Sequence, residues 1–132
     1  MPKEEIRSDR LADPNGHFAQ AVVAASGAGR LLFVSGMTAR NAEGGITGLG
    51  DIAAQTRQVC ENVQAAVEEA GGTMDDIVRV DVYVTDMRHF DAIHEVRREF
   101  FTGTPPASTM VEISKFSRPG YEIEMNAIAV LP

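Results

Sequence analysis

From Val78 to Thr85 the chain alternates without a break: Val78, Val80, Val82 and Val84 against Arg79, Asp81, Tyr83 and Thr85. That period of two predicts a strand with one buried and one polar face. Upstream, the apolar run Ala19–Ala25 and the segment Leu31–Gly36 flank Ser26-Gly27-Ala28-Gly29, which reads as a hairpin around a Gly-rich turn. Ile52, Val59, Val63, Val67 and Ala70 recur near helical spacing, with Asp51 placed to cap the start and Gly71-Gly72 to end it. A second helix fits Phe90, Ile93, Val96 and Phe100, stopping at Gly103 before Pro105-Pro106. Strands follow over Thr109–Ser114 and Tyr121–Val130, and residues 41–50, with four glycines, form a loop. The first ten residues are polar and expected to be loosely held, with room for one further N-terminal strand. The order ββ-α-β-α-ββ predicts an α+β fold with both helices on one face of a sheet.

Composition narrows the class. The 132 residues fit a single domain over 1–132, and 44% apolar residues suffice for one core. The formal charge of -7 speaks against a nucleic-acid binder, since phosphate recognition rests on clustered cations. The single cysteine, Cys60, excludes an internal disulfide and a cysteine-based zinc knuckle. The N-terminal residues MPKEEIRSDR hold no apolar core of a secretory signal, and Gln20, Arg30 and small residues interrupt the apolar stretch Ala19–Met37, so no membrane span is expected. A cytoplasmic protein is the expectation.

Most candidate chemistry dissolves on inspection. The glycines of 41–50 lack the lysine of a phosphate loop, and Ser35 lacks the G-x-S-x-G turn of a hydrolase nucleophile. His17, His89 and His94 form no metal-binding pair, so no metal is expected. Asp91 and His94, at i and i+3, read as a surface hydrogen bond, Cys60 as a core filler and Arg97-Arg98 as a solvated helix face. Glu124 differs. Ile123 and Met125 point to one side of the last strand, Glu122, Glu124 and Asn126 to the other. Periodicity alone leaves two readings of that polar face, solvent or a cleft between subunits.

A family pattern runs through these segments. It comprises Phe33-Val34-Ser35-Gly36, Gln55-Thr56-Arg57-Gln58-Val59 with Asn62-Val63, and Ala70-Gly71. Asp76-Ile77-Val78, Val82-Tyr83-Val84-Thr85-Asp86 and Phe100-Phe101 continue it, and Pro106-Ala107-Ser108-Thr109-Met110-Val111, Phe116 and Ile123-Glu124-Met125 close it. From Gly16 to Val130 the chain resembles the RidA/YjgF family of reactive-intermediate deaminases. The resemblance implies a chorismate-mutase-like fold, a sheet with two helices on one face, assembled as a homotrimer around a central barrel with three intersubunit clefts. It also implies hydrolysis of small imines or enamines without metal or organic cofactor. Glu124 would orient or deprotonate the water, Ser35 and Gly36 would wall the pocket, and the backbone around Thr109 and Met110 would hold the substrate's polar end.

The departures from the pattern redraw the pocket. Ser108 stands where the family carries an arginine that clamps the substrate carboxylate, a contact worth roughly 1.5–3 kcal/mol. Met110 replaces a cysteine, Phe18 a tyrosine and His94 an asparagine. Three consequences stay open: substrates without an α-carboxylate or held by another arginine such as Arg118, a different hydrolysis aided by His94, or a non-catalytic ligand-binding or regulatory trimer. The expected partners are a small molecule and further copies of the chain, not nucleic acid or membrane. Loss of the arginine predicts a raised Glu124 pKa, because a nearby cation would lower it.

Overall fold

In the computed structural model, which describes residues 3–27 and 29–132, six strands form one sheet in the order β1-β2-β3-β6-β4-β5. The strands are β1 Lys3–Ile6, β2 Ala21–Ser26, β3 Gly29–Met37, β4 Ile77–Val84, β5 Ala107–Glu112 and β6 Ile123–Leu131, with α1 at Ile52–Glu69 and α2 at Phe90–Phe100. All neighbours pair antiparallel except β4 and β5, which α2 joins in parallel. The tip of the expected hairpin turn, Ala28, lies outside the described residues. Among the described residues no helix is long and apolar enough to cross a membrane.

Local chemistry accounts for the ends of α1. The Asp51 carboxylate accepts from the Ala54 N–H at 3.1 Å, satisfying one of the donors that a helix start leaves open. At the other end Gly71 takes φ +92°. This turn lets the Gly72 N–H reach Val67 O at 2.9 Å and the Gly71 N–H reach Glu68 O at 3.0 Å, a Schellman closure that favours glycine. The buried stripe of α1, including Val59, Cys60, Val63 and Val67, packs on the sheet beside α2. Cys60 is a core filler as expected, and burial pushes its thiol pKa up to about 12.

The covered sheet face is dense. Leu32, Val34, Val80, Val82, Val84, Ile123, Met125, Ala127 and Ala129 are all buried beneath the helices. One expected member is missing. Val78 is 48% exposed and Ile77 is buried in its place, because the β4–β6 register shifts between Ile77 and Arg79. An extra residue at such a bulge reverses the facing of side chains before it. Among the described residues the opposite face carries no helix. Register places Phe33 beside Ile128 and Leu31 beside Val130, with Tyr83 between Glu124 and Val111. Phe33 remains 42% and Val130 45% exposed there.

One N-terminal expectation changes. The segment read as loosely held is docked: β1 pairs with β2, and Ser8 and Leu11 are buried. The Gln20 amide accounts for this, its Oε1 accepting from the Ser8 N–H at 2.6 Å and its Nε2 donating to Ala12 O at 3.1 Å. Loop 41–50 is likewise tied in, the Asn41 side-chain oxygen accepting from the Glu43 and Gly45 N–H groups. The last two strands begin two residues from their expected starts, at Ala107 and Ile123.

Candidate active site

β6 delivers Glu124 to the helix-free side of the sheet, opposite Tyr83 in register. The carboxylate lines a cavity of about 210 Å³ that also takes in Phe18, Ser35, Gly36, Arg118 and Tyr121. Gly36 is a requirement of close approach. A Cβ on it would fall 2.7 Å from Glu124 Cδ and nearer still to Oε2. The glycine thus lets β3 run past the carboxylate without displacing it. Burial raises the Glu124 pKa above the usual carboxylate range, since desolvation disfavours the charged form.

The frame of this cavity is held by buried amides. Asn62 Nδ2 donates to Thr38 O at 3.0 Å and Arg40 O at 2.7 Å, fixing the end of β3 against α1. Gln55, fully buried, donates to Gly48 O and Gly120 O and accepts the Glu122 N–H at 2.9 Å. One α1 side chain thus anchors both the loop before the helix and the strand entering Glu124. Ser35 is no free nucleophile: its hydroxyl donates to Ala19 O at 2.6 Å. Arg118, the arginine suggested by proximity in sequence, does reach the Glu124 cavity, and Arg40 lines it as well.

The remaining expected site residues lie elsewhere on the chain. His94 lines a second cavity beside α2, of about 330 Å³, with Arg97, Arg98 and Phe101. Ser108 Oγ accepts from Arg97 Nη2 at 3.2 Å. Met110, in register with Val82, turns to the helix side and packs against the core. Thr109 turns the other way and accepts from Arg79 Nη2 at 2.8 Å on the bare face. Phe18, Ser35, Gly36 and Glu124 therefore form one group, His94 and Ser108 another.

Two readings of α2 are corrected. His94 bonds not Asp91 but the Phe90 carbonyl, through Nδ1 at 2.9 Å, with the two rings 4.1 Å apart. A carbonyl can only accept, so Nδ1 carries the proton. Arg97 does not sit on a solvated face and is only 7% exposed. Its position four residues beyond Ile93 and next to Val96, on the buried stripe, was the available signal. Arg40, Asn62 and Tyr121 were also not foreseen as cavity residues; of these only Asn62 carried a signal, as part of the family pattern.

A six-stranded mixed sheet with two helices on one side, and a glutamate lodged against a glycine at its centre, defines an α+β domain of the RidA type. The sequence profile described as Endoribonuclease L-PSP matches residues 9–131, and the chain belongs to that family, the RidA/YjgF family. A RutC family protein of Pyrococcus abyssi is 38% identical over 129 residues, 98% of each chain. The YjgF gene product of E. coli superposes with a TM-score of 0.85 at 32% identity, covering 96% of this chain and 98% of that one. E. coli TdcF, solved with bound serine, gives 0.86 at 28% identity over 98% and 99%.

Proposed function

We propose that the protein is a cofactor-independent hydrolase of small reactive imines or enamines, working as a homotrimer. The observation that carries this is Glu124: a half-buried carboxylate with a raised pKa, in a small cavity walled by Ser35 and Gly36. An iminium carbon is already electrophilic and needs mainly a placed water. Glu124 takes one proton as the water oxygen bonds that carbon, giving a tetrahedral adduct. The proton passes to nitrogen, Glu124 takes the adduct's hydroxyl proton as the C–N bond breaks, and ammonia leaves with a carbonyl product. Serine in E. coli TdcF is a ligand of suitable size and class for such a cavity.

The trimer rests on the bare sheet face. Exposed Phe33, Val111 and Val130 there form an apolar surface that further copies would cover. In such a trimer the Glu124 cavity of one subunit would face the His94–Ser108 group of the next, as the family's intersubunit cleft implies. That accounts for a site split in two on a single chain.

Ser108 favours a second reading, a ligand-binding trimer without turnover, because the position lacks the clamp on which family substrates depend. An endoribonuclease activity, the family's printed description, sits poorly with a charge of -7 and few cations to neutralise phosphates. The decisive test is ammonia release from imines generated in situ by wild type, Glu124→Gln and Ser108→Arg. Acceleration by wild type that Glu124→Gln abolishes supports the hydrolase. Activity in Ser108→Arg alone would move this protein's substrate outside the carboxylate-bearing imines, and three inert proteins would favour the binding trimer.

A further inference from the structure

Folding strips one arginine of α2 of its water. Arg97 Nη2 spends one donor on Ser108 Oγ at 3.2 Å, while Nη1 is buried and, among the described residues, has no hydrogen-bond partner. The Phe101 ring, with its centroid 5.9 Å from the guanidinium carbon, offers only weak compensation. A guanidinium cannot escape by shedding its proton, and a buried cation without a counter-ion is costly to hold. Arg97 also lines a cavity with His94, Arg98, Phe101, Pro105 and Pro106. No carboxylate lines that cavity among the described residues, so a chain of net charge -7 presents here a pocket of opposite sign. Phe101 and the two prolines give it apolar walls.

We propose that this cavity is a carboxylate-binding site in which Arg97 supplies the guanidinium that the family carries at position 108. Ser108 faces the helices in register with Val80, and its small side chain leaves room for Arg97 to reach across from α2. A second arginine at 108 would set two like charges against each other. The Arg97 charge holds the anion, with Ser108 fixing the guanidinium through Nη2, and the apolar walls select a small monocarboxylate with a short hydrocarbon body. The site rests on the hydrolase reading only for its catalytic use, since it takes a carboxylate whether or not Glu124 acts on it.

The test uses the intact protein and butyrate, with neutral butyramide as control, followed by calorimetry and thermal unfolding. Wild type binds butyrate and not butyramide. Arg97→Met weakens butyrate at least tenfold without lowering Tm, because it removes an unpaired charge while keeping the bulk. Ser108→Asp sets a tethered carboxylate beside Arg97, raises Tm and blocks butyrate. Undiminished butyrate binding in Arg97→Met overturns the proposal. Should that variant not fold, a Ser108→Asp protein that is neither stabilised nor blocked overturns it equally. Glu124→Gln retains butyrate binding. A wild type that binds butyrate yet releases no ammonia would remove the hydrolase reading and leave the anion site standing, whereas an active enzyme indifferent to butyrate would do the reverse.

Discussion

The Glu124 and Arg97 cavities hold buried charges of opposite sign, and burial acts differently on each. Glu124 can answer desolvation by holding its proton longer, and its pKa rises. Arg97 has no such exit, and keeps its charge with Nη1 unpartnered among the described residues. The first environment makes a tunable base, the second a fixed cation that favours an anion. On the proposed function, chemistry and substrate holding lie in separate cavities of one chain, and the proposed trimer is what would join them.

The largest effect expected is on the chemistry side. Glu124→Gln keeps the shape and removes the base, so ammonia release falls by about 10²–10⁴-fold, measured at saturating substrate. A fall of less than threefold would make Glu124 a wall of the cavity and no more. Separation of the two cavities comes next. Phe33→Asp places a charge in the centre of the bare face, and the protein elutes as a monomer on gel filtration with at least tenfold less activity. A monomeric variant of full activity would show that one chain holds the whole site.

Smaller changes sharpen the comparison. Gly36→Ala pushes the Glu124 carboxylate aside, because the added methyl needs its space. Activity drops on the order of tenfold while Tm barely moves, since the atoms that yield are the far end of a flexible side chain. The pH profile follows from the direction of the Glu124 shift. Its folded pKa lies above the unfolded one, so the native state binds the proton more tightly, and stability declines as pH climbs from the unfolded value through the raised folded value. Activity rises over the same interval as the base ionises. Thermal unfolding across that range shows the decline in wild type and a flatter profile in Glu124→Gln. Last, Gln55→Ala leaves Gly48 O, Gly120 O and the Glu122 N–H without their buried amide. A loss of roughly 1–3 kcal/mol in denaturant unfolding is expected from unsatisfied groups of this kind.

Much of this architecture was legible residue by residue, and the limits of that legibility have a physical origin. Asp51 as a cap, Gly71-Gly72 as a stop and the alternation of Val80, Val82 and Val84 are local signals, because helix ends and strand faces depend on residues a few positions apart. The family pattern likewise singled out Glu124, Ser35 and Gly36, which share one cavity. Val78 failed because its facing depends on a register shift against β6, some fifty positions away in sequence. Arg97 failed because charge argued for solvent while its place on the stripe of Ile93 and Val96 argued for burial, and packing against the sheet decided for burial. The sequence by itself determined the helices, the central strands and their order, while Glu124 as the candidate carboxylate came from the family resemblance. Only the tertiary structure decided which sheet face stays bare, which arginine loses its water, and that the expected site residues fall into two groups. Those outcomes depend on contacts between segments far apart in the chain, and no local period encodes them.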